Sequence, residues 1–534
     1  MNVRRDVVSL MLASIYVMYQ SILGGGYMFR ERMSRRQFLR TAGKAALGGG
    51  MLYAVGGLVT KPRFLWAGKD KAAKEAAKKV PEGDVWRQYA GSKLIFMSEN
   101  TPPSSAIKAH LQEFYDLTGM EVDIRQDVLS TVQEKCGIDL KGGATAYQLN
   151  YAQDKPMGTI FGDYWADMTK FMADDTLPQD PEGYELDKWG YRWLDVCGRF
   201  YGEGRIVSLP YDNAVAIMFY RKDLFEKYAK DFEKEYGYPL VYTDDTTWKQ
   251  VIDFMKFFNS PKRSEVEYGF GFQGLEGWAG QLDFQRPLFA HGQWQEWEMN
   301  DHFIGMRNPG PCKWGDDQSI HTLTKMQGLY KLAHPESLSW DWSGVNNAFQ
   351  TAKVAMCVNY GEFAATVEDP SQSVAAGGKV GYGMDPKGEP SWIINGGPAV
   401  NATNYGIGGI AINGNLSEDM QRASWIFVEW ATSAPVQKMV LKELGGTPTR
   451  MSVLTDPEVV AAMKRPTDMP NALSYPPTLK GVVPPHVVPG PKIPKWNEYA
   501  TIQCIEVGKC MQGRQGPEET AKILKKKLDQ MHGV

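Results

Sequence analysis

From Lys93 onward the apolar positions alternate between two periods. Leu94 to Met97 form a short apolar run that reads as a buried strand. Ile107, Leu111, Phe114 and Tyr115 then recur at helical spacing. With Ser104 or Ser105 as cap and Gly119 as stop, they predict a helix to about Thr118. A second strand is expected over 121–124, a helix carrying Val128, Val132 and Cys136 after it, and a third strand over 147–151. That βαβαβ order belongs to a parallel sheet flanked by helices. The pattern returns beyond Arg205, with strands expected over 206–210 and 214–220, a helix from Lys222, and another over Trp248–Phe258 capped by Thr246 or Thr247. Strands over 379–384 and Tyr405–Ile412, an amphipathic helix over Glu418–Thr432 and a closing helix over 517–531 follow. Between 466 and 494 nine prolines break any period, so a loop is expected there and not a domain.

Composition narrows the class. A chain of 534 residues, 43% hydrophobic and 23% charged, is an ordinary globular mixture and excludes disorder or coiled coil as the main state. Its length suits about three to four units of ~150 residues. The net charge of -3 is unevenly placed: residues 1–67 hold 10 basic and 2 acidic side chains, which leaves the body at -11. An acidic body argues against nucleic acid as the main partner, because phosphate binding needs clustered cations. The 16 Trp, 25 Tyr and 22 Phe are mostly core material, but flat rings are also what a sugar-binding surface needs.

The basic N-terminus reads as an address. Arg35 and Arg36 followed by Phe38 and Leu39, then a Gly/Ala-rich run over 45–59, resemble a twin-arginine export signal, within an N-terminal segment of 1–67. Upstream, 7–23 is uncharged but short for a membrane span. Met33 is the expected start, with 1–32 an extension, and 68–90 is expected to be a solvated linker. Export places the body in the periplasm or outside the cytoplasm, anchored if the signal is not cleaved.

Motifs for other chemistry are weak. Gly269 to Gly274 matches GxGxxG, but Phe270 and Phe272 interleave at period two, which describes a strand and not a dinucleotide loop. The seven His show no HxxxH spacing, and the six Cys form no CxxC pair, so neither a metal site nor a redox motif is expected. Cys504 and Cys510 are read as buried thiols. No cofactor is expected.

Five landmarks in order carry a resemblance. They are the stretch from Ile206 to Phe225, Thr247-Trp248 opening a helix, Ala348 to Met356, Gly445 to Arg450 followed by Asp456-Pro457, and Gly513 to Gln515. The third is similar to an F-x-x-G-K-A-A-M run with Ala352 in place of the usual Gly. Over 91–534 the chain resembles the family 1 extracellular solute-binding proteins of ABC importers, the maltose-binding-protein-like group. The resemblance implies an α/β, two-lobed periplasmic-binding-protein-like fold of type II with a hinge and an interlobe cleft. Lobe one is expected over 91–213 and 388–446, and lobe two over 214–387 and 447–534. It also implies membrane permease subunits with a cytoplasmic ATPase as partners, besides the twin-arginine machinery.

For a sugar, a cleft needs carboxylates, amides and arginine at the hydroxyl rim and rings against the C–H faces. The resemblance points to Glu99 and Asn100 after the first strand, and to Tyr151, Gln153 and Asp154 at the end of the third. It points also to Glu276 and Trp278 in a glycine-spaced turn, to Tyr360 and Glu362, and to Gly408 and Gly409 for close backbone approach. Arg450 and Tyr499 complete the set. A carbohydrate, a polyol or a glycerol-phosphate-type solute remains open as ligand. The other classes are a carbohydrate-active enzyme, with Asp154 and Glu276 as a carboxylate pair, and a sensor subunit.

Overall fold

The computed structural model describes residues 84–534 except 203, 293, 444, 466, 468, 488 and 489. The expected export signal, the start at Met33 and most of the linker lie outside the described residues, as does the side chain of Trp278.

The first three expected strands form. β1 (Lys93–Glu99) pairs in parallel with β2 (Glu121–Asp127) and with β3 (Leu149–Gln153). The third strand thus ends two residues later than expected. The single helix expected after β1 is two, Pro102–Ala109 and Leu111–Thr118, joined at His110. Its cap is Thr101 and not Ser104 or Ser105: the Thr101 hydroxyl accepts from the Ser104 N–H at 3.3 Å. Pro102 sits in the first turn, where its missing N–H is not needed.

The two strands expected around 206–220 are one, β4 (Ser208–Arg221). The polar stretch Asp212-Asn213 stays in the sheet because a distant strand pairs with it. With β5 (Tyr268–Gly271), β6 (Val354–Tyr360), β7 (Val380–Gly383) and β8 (Tyr405–Ile412), the sheet order is β2-β1-β3-β8-β4-β6-β5, with β7 beside β4. The N-terminal half of β4 runs antiparallel to β8, from Ser208 to Val215. Its C-terminal half, from Ala216, runs antiparallel to β6 and then β7. A β-bulge falls at Tyr211, where the register shifts between Pro210 and Asp212. Bulges re-aim side chains, and this one lies beside the cleft.

Two large cores lie on either side of this crossing, which gives the two lobes. One gathers Phe96, Phe114, Leu149, Ile410 and Phe427. The other gathers Trp248, Phe254, Phe270, Trp297 and Leu524. The stretch 388–446 was expected wholly in lobe one. Its first part packs instead on the second core, through Trp392, Val400 and Ala402. Bridges from Lys387 to Thr247 and from Ala399 to His291 hold it there. The proline-rich segment also contains helical turns, Pro470–Ser474 and Tyr475–Gly481, with prolines in first-turn positions. The six cysteines are free and buried. Among the described residues no helix is long and apolar enough to cross a membrane.

Candidate functional site

β1, β3 and β6 each end at one cavity, which follows the rule that open α/β sheets present ligand sites beyond the carboxyl ends of their strands. Glu99, Gln153 and Tyr360 are the last residues of those strands. The first lobe contributes Glu99, Asn100, Thr101, Tyr151 and Gln153 to its wall, with Gly406 of β8. The second contributes Trp342, Tyr360, Glu362 and Phe363, and Ala214 lies at the crossing strand. The cavity holds about 380 Å³ of space, mouth included. The free space within it is about 20 Å³, far below the ~300–1,000 Å³ of small-molecule sites.

Its chemistry is acidic and aromatic. The Tyr151 hydroxyl donates to Asp212 Oδ2 at 3.3 Å, and its ring meets Tyr211 edge-on at 6.1 Å. Tyr211 in turn shares hydrogen bonds with Ser104 at 2.7 Å and Ser98 at 3.2 Å, so the ring behind the bulge is fixed. Glu362 and Asp212 are neighbouring buried carboxyls whose charges act on each other, which favours a proton on one of them. Burial raises the Glu99 carboxyl to about 8, with the Asp212 charge adding to it. Burial likewise raises Asp212, while the Asp212 charge adds to burial in raising Glu362 well above the carboxylate range. Trp342 meets Tyr360 edge-on at 6.4 Å, so two rings line the second lobe's wall. No group of three or more His, Cys, Asp or Glu side chains among the described residues is placed to hold a metal ion.

Six of the expected residues thus share one wall: Glu99, Asn100, Tyr151, Gln153, Tyr360 and Glu362. Of the others, Trp278 has a side chain outside the described residues, and the rest do not line it. Gly408 and Gly409 serve packing: a Cβ on Gly408 would stand 2.4 Å from the Tyr151 hydroxyl, and one on Gly409 2.8 Å from Ser208 Oγ. Their smallness seats Tyr151 and β4, not a ligand. Asp154 is buried beside β3 and pairs with Lys155 at 2.6 Å. Glu276 is exposed, in the turn before the helix Trp278–Ala290. Asp154 and Glu276 therefore form no carboxylate pair across the cavity. Arg450 is fully buried, ion-paired with Asp180 and stacked 3.7 Å over the Trp189 ring. Tyr499 is buried too, and its hydroxyl donates to Glu296. Both belong to the interior.

Sequence reasoning missed Thr101, Asp212, Ala214, Trp342, Phe363 and Gly406. Trp342 had a local signal: Asp341 caps a helix directly before it, accepting from the Gly344 N–H at 2.9 Å. Asp212 had none, because its position depends on the β4–β8 pairing.

The cleft can be set beside known proteins. A description of the bacterial extracellular solute-binding proteins matches residues 112–467. A probable amino-acid ABC transporter periplasmic-binding protein of Sinorhizobium fredii is 21% identical over 457 residues, covering 83% of this chain and 89% of its own. A mannitol-binding protein of Pseudomonas aeruginosa is 26% identical over 299 residues, 54% of each chain. An ABC transporter solute-binding protein of Agrobacterium radiobacter, solved in complex with ribitol, superposes with a TM-score of 0.65 at 22% identity, covering 83% of this chain and 99% of that one. A maltose-bound protein of T. maritima gives 0.65 at 19% identity, covering 83% and 100%. At these identities the solved structures establish the two-lobed fold. The family match runs through most of the chain, including residues of both cavity walls. The chain belongs to the bacterial extracellular solute-binding proteins.

Proposed function

We propose that this protein captures a small hydroxylated solute, a sugar or polyol, in the cleft between its lobes and delivers it to an ABC-type membrane permease. One observation carries the reading: Glu99, Tyr151, Gln153, Tyr360 and Glu362 come from separate segments of both lobes and line one cavity. Acidic and amide groups with rings suit hydroxyls and C–H faces. Relatives described as binding mannitol and ribitol support the ligand class. Among the described residues no Lys, Arg or His lines the wall, which disfavours a glycerol phosphate or the carboxylate of a free amino acid. Trp278, whose side chain lies outside the described residues, stays in the proposed set. The family places the protein outside the cytoplasm, and we propose the twin-arginine route for it.

The solute leaves as it entered. Incubation with oligosaccharides should release no new reducing ends, and their appearance would favour an enzyme. The function itself is tested by a thermal-shift screen over sugars and polyols. A ligand at 100 times its dissociation constant stabilises by about 2.7 kcal/mol. A panel without any shift would refute the reading.

A further inference from the structure

The cavity has more negative charge than hydroxyl recognition needs. Glu99 and Glu362 line it, and Asp212 stands directly behind Tyr151; all three are at least nine-tenths buried. One oxygen of Asp212 and one of Glu362 have no hydrogen-bond partner. A buried carboxylate oxygen without a donor carries a penalty that natural sites remove with a partner. The charged groups that act on these carboxyls are acidic: Asp212, Glu99 and Asp341 on one another, with Tyr151 and Thr101 as neutral donors. Among the described residues no Lys, Arg or His lines the wall to supply a positive charge. A metal ion is disfavoured, since no such group among the described residues is placed to hold one. The rings of Trp342, Tyr360 and Phe363 line the same space, and aromatic faces attract organic cations.

Resting on the sugar-or-polyol reading of this cleft, we propose that its ligand carries an amine: a hydroxylated solute whose ammonium group is held by Glu362 and Glu99 against the rings of Trp342 and Tyr360. The ammonium supplies the donor that the unpartnered Glu362 oxygen lacks. Its positive charge also favours the ionised form of Glu362 and Glu99, so binding expels protons into the solvent.

The test compares matched probes on the full-length protein by titration calorimetry: glucamine against sorbitol, and glucosamine against glucose. The amine member of a pair should bind at least about tenfold tighter near pH 7, the scale of one charge-assisted hydrogen bond. Between about pH 6 and pH 8 the affinity for glucamine should rise, because its alkyl ammonium keeps its charge there while Glu99, raised to about 8, loses its proton. Heats measured in buffers of different ionisation enthalpy should show proton release on amine binding. In Glu362→Gln the ratio of amine to neutral affinity should fall toward one. The linkage measurement needs no variant, so misfolding of Glu362→Gln leaves the test intact. Neutral members binding as tightly as their amines, without proton release, would overturn the inference and keep the solute-binding reading. If neither pair binds, and no sugar or polyol shifts the melt, both fall.

Discussion

At the scale of single residues, Arg450 and Glu99 show opposite uses of buried charge. Arg450 is held by Asp180 and by the carbonyls of Thr432 and Gly183, at 3.1 and 2.9 Å, over the Trp189 ring. Truncating it strands Asp180 in the interior. Arg450→Ala should therefore lower unfolding free energy by about 3–5 kcal/mol, the range for breaking a buried pair; a chemical melt measures it. A stability loss near zero would contradict the packing role. Glu99 has no cation, and burial first and Asp212 second hold its proton up to about 8. The folded protein then keeps a proton that the unfolded chain releases near its ordinary value of 4.5. Stability from this group is highest below that value and declines as pH rises toward about 8. Glu296 and Asp385 at about 7, and Glu429 at about 8, titrate in the same window. The informative quantity is the difference between variants: Glu99→Gln should gain stability relative to the parent as pH rises from about 5 to about 8. A difference independent of pH would show that Glu99 is ionised in the empty cleft.

Among the elements, helix Trp248–Phe258 was legible because its start is a local code. Thr247 accepts from the Gln250 N–H, and Gln250 Oε1 accepts from the Thr247 N–H at 2.9 Å. Thr247→Ala should cost about 1 kcal/mol in a chemical melt, within the range for lost caps. The landmark with Ala352 has an equally local cause. Ala352 follows helix Trp342–Gln350 with φ of 61°, a conformation in which glycine is at ease and alanine is strained. Strand β4 was not legible as one element. Asp212 and Asn213 read as a break in an apolar run, yet β8 pairs through them from 196 and 194 positions later, at Gly408 and Ile407.

The whole molecule is organised by that strand. β4 leaves the first core, passes the cavity at Ala214 and enters the pairing of the second at Ala216. Closure about this crossing would remove a solute from water between the lobes. Small-angle scattering with a ligand that shifts the melt should give a smaller radius of gyration; an unchanged value would count against hinge closure. For export, Arg35→Lys combined with Arg36→Lys should retain the protein in the cytoplasm, because a twin-arginine receptor reads guanidinium and not charge alone. Normal secretion of that double variant, followed by cell fractionation, would remove the twin-arginine route from the proposal.

The sequence by itself determined what neighbours in the chain decide. Strand and helix periods, the Thr247 cap and the helix Glu418–Thr432 depend on contacts a few residues apart. So does the order of landmarks that marked the family. Tertiary structure alone decided the charge of the site. Whether a carboxylate is a solvated rim group or a buried member of a cluster depends on what covers it, and the cover comes from the other lobe. Glu276 is exposed while Asp212 is fully buried. Arg450 found Asp180 some 270 residues away and left the ligand set. Non-local pairing sets burial, and burial decides what an acid or an arginine can do.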